Sequence, residues 1–327
     1  MRLCLLLAFY VAQVPAVAQV SDLRNGQIVD PVKCAADQSQ TYALYLPSQY
    51  SPDRPWNLIL AFDPRGQGRQ GVEHLRAAAE KYGYIVAGSN NARNGPPQVS
   101  LTAAQAMWTD VGKRFSINPK RIYSAGLSGG ARIAMKVALD SDQIAGVIAC
   151  SAGFPPGHRR SELKFIVFGT AGTEDFNYLE MRQLDQELSS PHRVVIFEGG
   201  HTWLPSALAI QAVEWLELQA SGRGPREEPK RDVNAMNKDR KDLEHEAQIV
   251  AELSELQQGL TDDPSARASN LKELKDRLQA LSRQAKVPAD SPDRRMARRI
   301  LGGVFIDSRS VDDQEYQNFV DSLRPAR

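Results

Sequence analysis

The sequence predicts an α/β fold, a mostly parallel sheet flanked by helices, followed by an all-helical C-terminal region. Three observations lead there. Between about Thr41 and Ala220, short β-rich runs alternate with segments of helical length. Several of those runs are continuously apolar, as strands covered on both faces are. Beyond the linker the chain is rich in Glu, Lys, Arg, Leu and Ala and poor in β-branched residues. Strand–helix alternation builds parallel strands joined by crossover helices. The length of 327 residues, 42% of them hydrophobic, suffices for one large domain and a smaller one.

The expected strands are Thr41–Leu46, Trp56–Phe62, Tyr84–Gly88, Arg121–Ala125, Ala145–Cys150, Lys164–Gly169 and Arg193–Glu198, the first a candidate antiparallel edge. Helical patterns fall near Gly71–Tyr82, Leu101–Phe115, Gly130–Asp140, Asp175–Leu188 and Leu204–Leu218. Breakers and charges from Ser221 onward read as a linker, 221–233. The helical region, 234–327, carries two stripes: Ile249, Val250, Leu253, Leu256 and Leu260, then Leu271, Leu274, Leu278 and Leu281. Thr261-Asp262-Asp263-Pro264 separates them, with Pro264 suited to the first position of the second helix. The spacing predicts a helical hairpin followed by shorter helices near Arg294–Gly302 and Val311–Leu323. The leucine stripes read as core faces, and no period recurs often enough for a solenoid.

At the N-terminus, Arg2 precedes an apolar run, Leu3–Val11, and then Ala16-Val17-Ala18, the layout of a secretory signal peptide over residues 1–18. The run is too short to span a bilayer, and Cys4 sits too early for a lipid anchor. A secreted or periplasmic protein without a membrane span is expected. Cys34 and Cys150 then remain, as a disulfide or as two free buried thiols. The formal net charge of +1 provides no steering toward nucleic acid.

The sharpest motif is Gly126-Leu127-Ser128-Gly129-Gly130, between the expected strand Arg121–Ala125 and the helical run from Ala131. A serine hydroxyl is a weak nucleophile, so it needs a tight strand-to-helix turn where a base reaches it and backbone N–H groups face the developing oxyanion. Ser128 is therefore the candidate nucleophile. Past the strand ending at Gly169 comes Thr173-Glu174-Asp175, with Asp175 the candidate orienting acid and Glu174 the alternative. Past the next strand comes Gly199-Gly200-His201, which makes His201 the candidate base. Serine, acid and histidine thus fall on three successive turns in the order this chemistry uses. One oxyanion donor is expected from the Gly129 N–H, the other from Arg65 or Gly66, since Pro64 has none. Gly66-Gln67-Gly68-Arg69-Gln70-Gly71 matches a dinucleotide fingerprint, but Gly88-Ser89-Asn90-Asn91 lacks the acid that would bind a ribose.

These residues resemble the α/β-hydrolase superfamily and, within it, the polyhydroxybutyrate-depolymerase and feruloyl-esterase group. The resemblance covers roughly residues 42–218. It rests on Ala43-Leu44-Tyr45-Leu46-Pro47, on Asn118–Tyr123 leading into Ala125–Gly130, and on Gly199-Gly200-His201-Thr202-Trp203. It implies hydrolysis of a small or polymeric carboxylic ester through an acyl-enzyme, with no cofactor and no metal, in a catalytic domain spanning 19–220. One departure stands out: Asp63-Pro64 replaces the His-Gly usual after the oxyanion strand. The segment from Ser151 to His158, where such folds often carry a lid, is short and predicts an open site. Two other readings share the sequence: a peptidase or amidase of the same fold, and a hydrolase-like binding protein. In either, the helical tail is available for self-association or a protein contact.

Overall fold

The computed structural model describes residues 23–223, 233–287 and 291–324. The expected signal segment 1–18 and most of the expected linker (224–232) lie outside the described residues. The sheet has eight strands: β1 (Ile28–Lys33), β2 (Thr41–Tyr45), β3 (Trp56–Phe62), β4 (Tyr84–Ser89), β5 (Ile117–Leu127), β6 (Ile144–Cys150), β7 (Ile166–Gly172) and β8 (His192–Phe197). Their spatial order is β1-β2-β4-β3-β5-β6-β7-β8. β2 runs antiparallel to both its neighbours, and the strands from β4 to β8 are parallel. This is the α/β-hydrolase sheet that the resemblance implies.

Each central strand serves two cores, as a period of two requires. Leu58, Leu60 and Phe62 of β3 face one hydrophobic cluster, and Ile59 and Ala61 the other. The first cluster is closed by α2 (Pro97–Arg114), α3 (Gly129–Leu139) and α4 (Tyr178–Glu187). The second is closed by α1 (Gly68–Tyr82) and α5 (Ser206–Ala220).

β1 was not expected. Asp30 and Pro31 interrupt its apolar pattern, and proline is tolerated there because the strand is an edge. Consequently Thr41–Tyr45 is antiparallel, as expected, but internal rather than the edge.

After α5 the chain is helical: α6 (Val233–Asp262), α7 (Pro264–Ala285), α8 (Pro292–Asp307) and α9 (Gln314–Leu323). Asp263 caps α7 by accepting the Ser265 N–H, and Pro264 takes the first helical position. The leucine stripes do meet: Leu253 and Leu260 pack with Leu274, Leu278 and Leu281 in a third core, which Ile300, Val304 and Tyr316 complete. A buried hydrogen bond of 2.8 Å from Gln257 to the Tyr316 hydroxyl lies inside it. Among the described residues no helix is long and apolar enough to cross a membrane.

The cysteine question resolves toward free thiols. Cys34 and Cys150 are both unpaired and buried. Cys34 follows edge strand β1 and faces the first core, whereas Cys150 ends β6 and faces the second. Five strand spacings of ~4.8 Å put them about 24 Å apart, against the ~6 Å that a disulfide needs between Cα atoms. Burial pushes both thiols up to about 11.

Candidate active site

β5 occupies the middle of the sheet, and its carboxyl end runs straight into α3 through Ser128. The turn is sharp enough to hold Ser128 at φ 55° and ψ −122°, a left-handed conformation that costs a non-glycine residue roughly 1–3 kcal/mol. Two contacts hold it there. The Ser128 N–H donates to the Cys150 carbonyl at 2.8 Å. A Cβ on Gly126 would fall 2.2 Å from the Gly130 carbonyl oxygen, so only glycine allows strand and helix to pass this closely. Ser128 therefore stands at the top of the sheet, lining a large cavity.

The turns after β7 and β8 are tied to each other. The Thr173 and Glu174 N–H groups donate to the Phe197 and Gly199 carbonyls, at 2.9 and 2.8 Å. This brings Asp175 beneath His201: Oδ1 of Asp175 lies 2.8 Å from Nδ1 of His201 and also accepts the Asn177 N–H at 2.8 Å. Asp175 is fully buried, while the imidazole keeps about a fifth of its surface exposed toward the cavity. Glu174, the alternative acid, points away and pairs with Arg298 of α8 at 2.9 Å. Phe176 stacks on the other side of the His201 ring, with centroids 3.9 Å apart. Among the described residues the Ser128 hydroxyl makes no hydrogen bond.

The expected second oxyanion donors are corrected by the loop after β3. The Arg65 N–H donates to the Asp63 carboxylate at 2.9 Å, and the Gly66 N–H to the Asp63 carbonyl at 3.0 Å. Both donors are consumed by a tight turn that Asp63 itself nucleates. The other oxygen of Asp63 accepts from the Trp203 indole at 2.9 Å, linking this loop to the histidine loop. That bond is what the unusual Asp63-Pro64 does here. The Gly129 N–H opens α3 free of any bond among the described residues. Beside it stands Asn94, whose carboxamide oxygen would lie 1.8 Å from a Cβ on Gly129. The Asn94 backbone is anchored to the Pro64 carbonyl at 2.8 Å, while its carboxamide has no hydrogen-bond partner among the described residues.

The cavity is about 1150 Å³, large for a small-molecule site. It is partly enclosed, more than the short Ser151–His158 segment predicts. That segment is pinned by Glu180, which accepts the Gly153 N–H at 2.8 Å and pairs with both terminal nitrogens of Arg132. The missing wall comes instead from α6 and α8, through Val250, Leu253, Ile300 and Val304 among others. Arg299 fastens it: Nε donates to the buried Glu246 at 2.9 Å, a terminal nitrogen reaches the Thr173 carbonyl at 2.7 Å, and the guanidinium lies 4.3 Å from the Tyr178 ring centre.

Ser128, Gly129, His201 and Arg65 thus line one cavity, and Asp175 is buried behind His201. In the glycine-rich 66–71 run, a Cβ on Gly68 would fall 2.0 Å from the Gly88 carbonyl, so its glycine serves packing. Phe176, Asn94, His74 and Arg299 were not anticipated. His74 stacks on Trp203 within the cavity wall, and only its helical position was legible. Among the described residues no group of acidic, histidine or cysteine side chains is arranged to hold a metal.

No protein-family model and no curated protein matches the sequence. Solved structures do resemble it. Est1E from Butyrivibrio proteoclasticus is 14% identical with a TM-score of 0.44, over 56% of this chain and 95% of that one. A feruloyl esterase module from Clostridium thermocellum, complexed with sinapinate, is 15% identical with a TM-score of 0.48, over 63% and 92%. A Pyrobaculum calidifontis esterase is 11% identical with a TM-score of 0.47, over 60% and 87%. At these identities, and with TM-scores below 0.5, the likenesses say nothing of activity or substrate.

Proposed function

We propose that the chain is a serine hydrolase that cleaves carboxylic esters through an acyl-enzyme, with Ser128 as nucleophile, His201 as base and Asp175 as its orienting acid. The observation that carries this reading is the 2.8 Å His201–Asp175 contact on the cavity that the Ser128 turn lines. A proton on Nδ1 facing Asp175 leaves Nε2 free to accept. Ser128 Oγ then attacks the ester carbonyl carbon as Nε2 takes its proton. The tetrahedral oxyanion meets the Gly129 N–H and, with the amide turned about its last torsion, the Asn94 NH2 group. Collapse breaks the bond to the alcohol, which leaves with the proton from Nε2. Water deacylates the serine by the same steps in reverse. The unpaired Ser128 hydroxyl acquires its hydrogen bond to the base when substrate is seated.

The N-terminal apolar run and Ala16-Val17-Ala18 support export, with cleavage after Ala18. A fluorophosphonate probe tests the chemistry: wild type takes the label and hydrolyses a p-nitrophenyl ester, and Ser128→Ala does neither. A wild type that takes no label and turns over no ester overturns the reading.

A further inference from the structure

On the reading that Ser128 and His201 hydrolyse esters, the geometry points to a role for the helical region: the cavity face of α6 and α8 is the subsite for an apolar alcohol group. The substrates are esters of medium-length or bulky apolar alcohols.

The argument begins with side chains that the fold leaves uncovered. Among the described residues five large apolar side chains are exposed, and two of them, Val250 of α6 (39%) and Ile306 of α8 (44%), line the cavity. Between them the wall continues through Leu253, Ile300 and Val304, which also belong to the helical core and are held rigidly by it. An apolar surface built on a packed core and turned toward a reactive serine is suited to an apolar part of the substrate.

Which part follows from the chemistry. The histidine gives its proton to the departing alcohol, so the alcohol lies on the His201 side of Ser128, and the oxyanion on the side of Gly129 and Asn94. α8 is on the histidine side. Phe176 stacks on the imidazole at 3.9 Å, and its Cβ and Cδ1 would lie 3.6 Å from a Cβ on Gly302 of α8. Arg299, one turn earlier on the same helix, bonds the Thr173 carbonyl two residues before Asp175, and Arg298 pairs with Glu174. The wall is therefore fixed to the acid–base half of the site.

The test is kcat/KM for acetate esters of ethanol, butanol and hexanol, followed by pH-stat. These alkanols are equally poor leaving groups, so differences report binding of the chain. Wild type is expected to gain about fourfold per methylene, the worth of taking one from water. In Val250→Asp/Ile306→Asp, where both sites are exposed enough to carry charge without unfolding the protein, the hexyl-to-ethyl ratio falls at least tenfold. The acyl ratio, ethyl butyrate over ethyl acetate, moves less than twofold. A wild-type hexyl-to-ethyl ratio under threefold overturns the subsite, as does a variant that changes the acyl ratio and spares the alcohol ratio. Both outcomes leave the hydrolase standing. A wild type that hydrolyses none of these esters, and takes no fluorophosphonate, overturns the hydrolase itself.

Discussion

The cavity has two halves of different origin. One is the carboxyl edge of the parallel sheet, where three turns carry Ser128, Asp175 and His201. The other is the face of α6 and α8, which carries no reacting group. The first half is made of strained or tightly bonded backbone, and position is everything there. The second is made of aliphatic surface over a leucine core, where only shape and polarity count. On the proposed reading chemistry and recognition fall to separate parts of the chain, and substitutions in the two halves should fail in different ways.

The largest expected effect is in the sheet half. Ser128→Ala lowers kcat for a p-nitrophenyl ester by about 10⁴-fold or more, with the fold intact by circular dichroism. Asn94→Ala comes next: losing one oxyanion donor lowers kcat by about 10²–10³-fold with KM little changed. If KM rises and kcat holds, Asn94 binds substrate instead. Arg299→Ala breaks the comparison if it behaves like these. It should not: it strands the buried Glu246 carboxylate, so urea melts should show a loss of about 3–5 kcal/mol. Arg299→Lys, which keeps the charge but loses the fork, recovers part of that.

A smaller effect concerns Asp110 on α2. Burial pushes its carboxyl up, but hydrogen bonds from Arg114, the Ala35 N–H and the Tyr42 hydroxyl outweigh this and hold it below the ordinary carboxylate range. A lowered folded pKa means stabilisation that is present above the unfolded pKa and lost as pH falls through the folded one. Asp110→Asn should therefore be less stable than wild type at pH 7, with the gap narrowing by pH 3. Smallest of all, a reductant should leave Tm unchanged, because Cys34 and Cys150 are already thiols.

The sheet half was largely legible in the sequence. Alternating strands and helices, a glycine-flanked serine and two loops in the right order are local signals, and the candidates Ser128, Asp175 and His201 are each marked by their neighbours. Strand β1 was not legible because Asp30-Pro31 hides the alternation, and its partner β2 supplies the pairing from eight to seventeen residues away. The oxyanion loop was misread for a related reason. Gly66 and Arg65 look like free donors until the Asp63 side chain turns back onto them. The helical half was legible as helices and as leucine stripes, but not as a wall. Nothing local in Arg299 says that it reaches Thr173, 126 residues earlier. Nor does Val250 differ in sequence from its buried neighbours. Long-range docking is set by surfaces, and the periodicity of a helix records only that it has an inner face.

The Gly302 contact with Phe176 limits how freely such halves can be exchanged. An alanine there would just touch the Phe176 ring, and any longer side chain would have the ring in its path. That ring is stacked on the imidazole, inclined to it by 27°. A tail grafted from another protein would therefore need a small residue at this helix position before its own lining mattered at all. A tail with leucine there would tilt the base and lose turnover on every ester alike. The two halves differ in composition, and Gly302 is one of the places where each limits the other.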